Sequence, residues 1–504
     1  MENKFKELRG RCEELAALNS AGALLGWDQN TYMPAGGAEA RGRTLAVISE
    51  IAHHKLTAPE TGALIKDLHD WAQAKGHDSF EASFLRAVKR DYDQEVKIPA
   101  ALVKEFALAT TASFEAWHKA RKASDFSLFA PHLEKVAELN LRKAEALGFE
   151  KSPYDALLDL YDPGTKREKL DAIFAELTAA LKPVIKAINE RADKVSSAPF
   201  KGDFPADAQL RLTEEISKAL GYDTARGRQD LSAHPFSTGI ASPDDVRITT
   251  RTQADWLPAC VYGSIHETGH ALYEQGFPAE FAFTPLANAS SLGVHESQSR
   301  FWENLVGRSR AFAAWALPLY RKHFPGKFDG CSPEDLYKAA NRSEASLIRV
   351  EADEVTYNLH IALRYEIETR LLDRSLKVKD APELWNAKMK EYLGITPAKD
   401  SEGILQDVHW GYGMIGYFPS YTMGNLISAQ LYAAMRRDLP GMDGLVEKGD
   451  FAPILAWLRA KVHTQGRKYQ PEELLQKAIG EKLSVKPFAD YIRGKYSALY
   501  GFKA

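Results

Sequence analysis

Cysteine is scarce in this chain: only Cys12, Cys260 and Cys331 occur in 504 residues. They are far apart, odd in number and form no C-x-x-C pair. This excludes a disulfide framework and a zinc ribbon, and leaves reduced structural thiols in a cytoplasmic protein as the reading. An excess of either charge is also missing. Lys and Arg number 65 against 68 Asp and Glu, a net charge of −3. A nucleic-acid binder would usually show a basic surplus, so no nucleic-acid partner is expected. Long uncharged runs are nearly absent. The one exception, Val408 to Met435, holds Gly411, Gly413, Gly416, Pro419, Gly424, His409 and Asn425. It reads as a buried, turn-rich loop leading into a helix, not as a membrane span. The segment Met1 to Leu15 is rich in Lys, Arg and Glu and lacks an apolar stretch, so no secretory leader and no membrane partner are expected. Internal repeats and low-complexity tracts are missing too.

What is present is helical period. The hydrophobic share of 45% and charged share of 26% are ordinary for a globular chain. Leu170, Ile173, Phe174, Leu177, Leu181, Val184, Ile185 and Ile188 lie on one face of a long helix with Pro183 inside it. Phe5, Leu8, Cys12, Leu15 and Leu18 predict a helix at the start, and Leu102, Phe106, Phe114 and Trp117 another. Leu347, Ile348, Val355, Leu359 and Leu363 predict a later one. Alternation is confined to His234–Thr250, where Phe236 to Ile240, a Ser242–Asp245 turn and Val246 with Ile248 predict a small hairpin. Linkers are expected at Ser196–Ala206 and at Pro440–Gly449. Length alone suggests about three domains at roughly 150 residues each, but the pattern does not break into blocks. The expectation is a nearly all-α single domain over 1–504, with one small β-hairpin or sheet and two lobes around a cleft.

Chemistry concentrates at His266-Glu267-Thr268-Gly269-His270, an H-E-x-x-H. At 3.6 residues per turn the two histidines project from one helix face about a turn apart, so both imidazoles can converge on one metal, with Glu267 beside them. The motif alone also fits two ordinary histidines and a solvated Glu on a helix. A catalytic zinc usually takes three protein ligands and leaves a fourth position for water. Glu274 continues the same row, but eight residues after His266 it lies about 12 Å along the axis, too far for bonds of about 2 Å. The third histidine of the longer metzincin motif is absent, since Gly276 stands in its place. The third ligand must come from another segment. Val294-His295-Glu296-Ser297-Gln298-Ser299-Arg300 offers His295 or Glu296, about 100° apart on a helix, so one of them would face the metal.

HETGH followed by HESQSR resembles the M32 metallocarboxypeptidases, the carboxypeptidase Taq family. Further stretches match in family order. Trp27-Asp28 with Met33-Pro34 and Arg41 resembles the N-terminal stretch, His234-Pro235-Phe236 the HPF element, and Asp245 to Thr249 the D-x-R-x-T element. Ile348-Arg349 resembles the I-R segment, and Gly403 to Trp410 matches G-x-x-Q-D-x-H-W. The resemblance implies a helical, gluzincin-like peptidase with a deep cleft and one divalent metal, zinc or alternatively cobalt. It also implies a homodimer, and removal of C-terminal residues from peptides with broad side-chain preference. It makes Glu296 the third metal ligand beside His266 and His270.

Roles follow from the same pattern. Glu267 is the expected general base. His409 is a candidate oxyanion donor, with a buried structural histidine as the alternative. Tyr421, preferred to Tyr412 on the family pattern, could serve the oxyanion or a carboxylate. His234, held extended by the following proline, opens a hairpin whose edge could pair with a peptide. For Arg247 a salt bridge to Asp245 is at least as good a reading. Arg349 is the candidate anchor for the free C-terminal carboxylate, because a planar guanidinium binds that group through two parallel hydrogen bonds. Its rivals are a salt-bridged helix with Glu344, Glu351, Asp353 and Glu354, and Arg300 as the cation. Arg300 could instead orient Glu296. Two other functions remain open to the residues themselves: an endopeptidase of the same chemistry, and a helical binding protein whose H-E-x-x-H is incidental.

Overall fold

The computed structural model describes residues 1–503. The chain forms two compact units and crosses repeatedly between them. The first comprises Met1–Val96, Ser197–Ala340 and Leu431–Lys482, and the second Lys97–Ser196, Asn341–Gln430 and Leu483–Ala504. Neither unit is a contiguous stretch of sequence, so composition has no block boundary to reveal.

In the second unit the eight apolar residues Leu170 to Ile188 named above are all buried on the helix Arg167–Asn189, which runs through Pro183. Helix Ala100–Ala123 buries Leu102 and Trp117. The expected helix from Leu347 to Leu363 is corrected. Its first half is irregular except for a single 3-10 turn at Arg349–Glu351, and the helix begins only at Tyr357, running to Leu372. Asp353 explains the late start: its carboxylate accepts from the backbone N–H of Val355 and Thr356 and from the Ser343 and Thr356 hydroxyls. Such side-chain acceptors offer the backbone an alternative to the helical ladder.

In the first unit Phe5, Leu8 and Cys12 of helix Glu2–Thr31 join Leu64, Leu68, Phe84, Val88, Phe281 and Leu286 in one apolar cluster. Burial pushes the Cys12 thiol up to about 12, and it raises the Cys260 thiol as well. All three cysteines are unpaired. The hairpin is present, with β2 (Ser237–Gly239) antiparallel to β3 (Val246–Thr250). An unforeseen strand, β1 (Gln229–Leu231), three residues long, pairs parallel on the other side of β3 in the order β1-β3-β2. Ser196–Ala206 is mostly irregular, as expected. The second supposed linker, Pro440–Gly449, contains a short helix, Met442–Glu447, that buries Met442 and Val446. The uncharged stretch Val408–Met435 is a run of turns followed by helix Pro419–Asp438. Among the described residues no helix is long and apolar enough to cross a membrane.

Candidate metal centre and a second polar cluster

Helix Pro258–Glu274 carries HETGH in the first unit and is buried along most of its length. Its polar residues behind the motif are tied down: Ser264 donates to the Thr250 hydroxyl on β3 at 2.8 Å, and the Thr268 and Ser217 hydroxyls lie 2.8 Å apart. Helix Leu292–Arg300 starts at Ser291, whose hydroxyl accepts from the Val294 N–H, and it continues into a π-helical turn over Phe301–Val306. The two helices approach closely at Gly269. A Cβ there would stand 2.7 Å from both the Gln298 carbonyl oxygen and the Ser299 Cα, a distance no side chain tolerates. Glycine inside a helix costs about 1 kcal/mol relative to alanine. Here it lets the second helix come near enough to present Glu296.

The result is a three-donor cluster. Glu296 Oε2 lies 3.5 Å from His266 Nε2 and 3.4 Å from His270 Nε2. These are the edge lengths of a tetrahedron with ligand bonds of about 2.0–2.1 Å, which come to roughly 3.3–3.4 Å. The donor set therefore fits a divalent transition metal. The two imidazoles meet edge to face, with centroids 4.9 Å apart. Glu296 Oε1 accepts from Arg300 Nε at 2.7 Å. Burial alone would raise the Glu296 carboxyl, but the Arg300 and His266 charges overcome it and hold the group well below the usual carboxylate range. Glu267, beside the pair, is 7% exposed and is raised to about 7, chiefly by burial.

His295 and Glu274, the other acceptable ligands by type, are engaged with each other: His295 Nε2 and Glu274 Oε1 are 2.8 Å apart. The His295 ring stacks on His270, with centroids 4.3 Å apart. Arg300 donates to Glu296 rather than standing free as a cation for a carboxylate. Sequence reading passed over Glu303 and Gly269. Glu303 Oε2 lies 2.9 Å from His266 Nδ1. Its position seven residues after Glu296, on the same helical face, was the available signal.

The hairpin motifs are bonded to one another within the first unit. Thr249 Oγ1 accepts from the Phe236 N–H at 2.9 Å, which joins the HPF and D-x-R-x-T elements. Arg247 donates two bonds of 2.8 Å to Asp245 and lies over the Trp27 ring at 4.6 Å. The salt-bridge reading for Arg247 is the one observed. His234 is exposed, and its carbonyl accepts from the Ser232 hydroxyl at 2.7 Å.

The second unit holds a separate cluster around Arg349, which is 5% exposed. None of the four acids of the rival salt-bridge reading is its partner. Its Nε and Nη2 donate to Asp407 Oδ1 at 3.0 and 2.7 Å, and its Nη1 donates to the Tyr357 hydroxyl at 2.8 Å. A guanidinium has five N–H donors, so one hydrogen on each Nη is left over. Arg364, fully buried, donates from Nε to the other Asp407 oxygen at 2.7 Å. Burial would push the Asp407 carboxyl up, but the two guanidinium charges hold it far below its ordinary range. The Q-D pair of the G-x-x-Q-D-x-H-W stretch thus grips Arg349 twice, because Gln406 Oε1 also accepts from its backbone N–H at 2.8 Å.

His409 and Tyr421 belong to the same cluster. His409 Nε2 and the Tyr421 hydroxyl are 3.2 Å apart, and Arg349 lies over the Tyr421 ring at 4.9 Å. Burial pushes His409 down to about 3, with Arg349 and Arg364 acting in the same direction and Asp407 against them. The ring is therefore neutral at ordinary pH. Tyr412 is instead 48% exposed and stacks on Phe114 at 4.8 Å. Glu368 was also missed. It accepts from the Tyr154 hydroxyl, Trp410 Nε1 and the Gly416 N–H at 2.6, 2.8 and 3.1 Å, and so pins the loop that carries His409.

A helical body with two histidines and a glutamate converging at tetrahedral separations defines the class of gluzincin-like metallohydrolases. The family model described as carboxypeptidase Taq (M32) metallopeptidase matches residues 7–496. The chain is 41% identical over 498 residues to carboxypeptidase 1 of Bacillus subtilis, covering 98% of each. It is also 41% identical to thermostable carboxypeptidase 1 of Thermus thermophilus, over 99% of each. The crystal structure of an M32 carboxypeptidase from Deinococcus radiodurans superposes with a TM-score of 0.96 at 40% identity, covering 99% of this chain and 100% of that one. The chain belongs to the carboxypeptidase Taq (M32) metallopeptidase family. It is a metallocarboxypeptidase, a peptide-bond hydrolase that uses a divalent metal and takes peptides as substrates.

Proposed function

We propose that His266, His270 and Glu296 hold one zinc ion, with cobalt the alternative, and that Glu267 is the general base. The observation that carries this reading is the pair of 3.4 and 3.5 Å separations between the Glu296 oxygen and the two imidazole nitrogens. When bound, such an ion supplies Lewis acidity toward a carbonyl oxygen and a water. Glu267 takes the proton from the attacking water and later delivers it to the leaving amine. His409, neutral, and Tyr421 donate hydrogen bonds to the oxygen on which negative charge develops.

Arg349 receives the C-terminal carboxylate through its two remaining Nη hydrogens. The fixed positions of its other three bonds support that role, because a guanidinium already oriented loses little freedom on binding. His234 and the edge strand β2 offer backbone groups to an extended peptide. Side-chain preference is broad, and the protein works in the cytoplasm as a homodimer and a single domain over 1–504. Family resemblance supports these last readings, and the unpaired cysteines fit a reducing compartment. Elemental analysis tests the metal: one zinc per chain is expected, and no metal in active protein would overturn the reading. Mass spectra of a digested peptide test the rest. A ladder from the C-terminus is expected, and internal fragments would overturn the anchor role.

A further inference from the structure

A neutral histidine that offers Nε2 to a metal must carry its proton on Nδ1, so that nitrogen needs a hydrogen-bond acceptor. The two histidines of HETGH differ in this respect. His270 Nδ1 is buried with no hydrogen-bond partner, and its ring is steadied by the stack on His295. His266 Nδ1 faces the Glu303 carboxylate at 2.9 Å. Glu303 is itself clamped. Arg300 Nη1 reaches the same carboxylate oxygen at 3.3 Å, and Arg308 Nη2 reaches the other at 3.2 Å. Arg308 is braced in turn, by a 2.7 Å bond to the Ala340 carbonyl and by the Tyr262 ring 3.9 Å away. Arg300 also holds Glu296. One arginine therefore joins a ligand carboxylate to the carboxylate behind a ligand histidine. Glu303 sits in the π-helical turn Phe301–Val306, a distortion that often marks functional positions.

We propose that Glu303 is a positioning residue of the metal centre: it fixes the tautomer and ring orientation of His266 and makes Nε2 a stronger donor. The inference rests on the metal reading given above and extends it beyond the ligands. It predicts an asymmetric centre, in which His266 is the histidine held by a carboxylate.

The test is cobalt titration of metal-free protein, read by visible absorption and by elemental analysis after dialysis, on wild type, Glu303→Ala and Glu303→Gln. Wild type should bind one ion per chain. Glu303→Ala should bind about 10–100-fold more weakly, the usual loss when a carboxylate behind a histidine ligand is removed, and its cobalt spectrum should change. Glu303→Gln keeps an acceptor for Nδ1–H without the charge and should fall between the two. It also serves if the alanine variant does not fold because Arg300 and Arg308 lose their acceptor. Unchanged affinity and spectrum in a folded variant, even one with a lowered melting temperature, would show a purely structural role and overturn the proposal. If wild type binds no ion while the protein is folded, the metal reading itself fails, and that outcome is separable from the variants.

Discussion

The two polar clusters solve opposite electrostatic problems. In the first unit, one buried carboxylate faces two imidazoles, and Glu296 is kept charged by Arg300. The arrangement gathers lone pairs and suits a cation. In the second unit, two buried guanidinium groups share the single carboxylate of Asp407, and the neighbouring His409 is held neutral. That arrangement gathers N–H donors and suits an anion. Breaking a buried ion pair on one side costs about 3–5 kcal/mol, so neither cluster tolerates loss of a partner without a replacement. The second cluster has one more guanidinium than carboxylate, an excess of positive charge that suits an anion, whereas in the first Arg300 and Arg308 match Glu296 and Glu303.

The sharpest way to break this contrast is to disable the first cluster while leaving the second intact. Chelation should abolish peptide hydrolysis, and added zinc should restore it. Glu267→Gln, which keeps shape but cannot accept a proton, should retain metal and lose at least about 10²-fold in turnover, the scale of a general base. Near-normal turnover in metal-replete Glu267→Gln protein would remove Glu267 from that role. The converse experiment disables the second cluster. Arg349→Ala should weaken cleavage of a free-acid peptide by about 2–5 kcal/mol, the cost of losing a buried charged partner, with metal content unchanged. The C-terminal amide of the same peptide, already a slow substrate, should change little. An unaltered ratio of free-acid to amide rates in folded Arg349→Ala would show that the carboxylate is held elsewhere.

The two clusters also differ in how far they could be read from sequence, for a physical reason. His266 and His270 are four residues apart on one helix, so period alone brings them together. Glu274, next in the same row, is paired with His295. The choice between His295 and Glu296 could not be made from spacing, because it depends on which one Glu274 captures. The partners of Arg349 come from two stretches, Tyr357 eight residues on and Gln406 with Asp407 nearly sixty residues on. No local period links them, and the acids closest in sequence were the wrong ones. Helix content was legible because apolar faces repeat every 3.6 residues. β1 was not, since three residues are too few to show alternation. The false helix at Leu347–Val355 arose because apolar spacing outweighed the local claim of Asp353 on the backbone.

A smaller effect tests how the first cluster is assembled. Gly269→Ala places a methyl 2.7 Å from the Gln298 carbonyl oxygen and the Ser299 Cα, and both are backbone atoms with little room to yield. Overpacking of this kind costs about 1–3 kcal/mol. The helix carrying Glu296 must move away from the two histidines. The expected outcome is weaker metal binding by equilibrium dialysis, together with a lower melting temperature. Alanine is the better helix former, so a variant that is more stable and binds metal normally would show that the close approach is not required.

The smallest expected effect concerns protons in the second cluster. Folded His409 stays neutral down to about pH 3, because burial and two arginines disfavour its charged form. In the unfolded chain a histidine takes up its proton near pH 6.5. Between those values the unfolded state binds the extra proton, so stability rises with pH there. The contribution is fully present above about pH 6.5 and is lost progressively as pH falls toward 3. His409→Gln removes this one titration and leaves the carboxylates alone. Its melting temperature should therefore fall less than that of wild type between pH 7.5 and pH 5. The difference should be about a degree or two, since a 1 kcal/mol change moves a long chain by only a few degrees. Parallel melting curves for the two proteins would mean that His409 is charged in the folded state, and the second cluster would then carry more positive charge than its hydrogen bonds suggest.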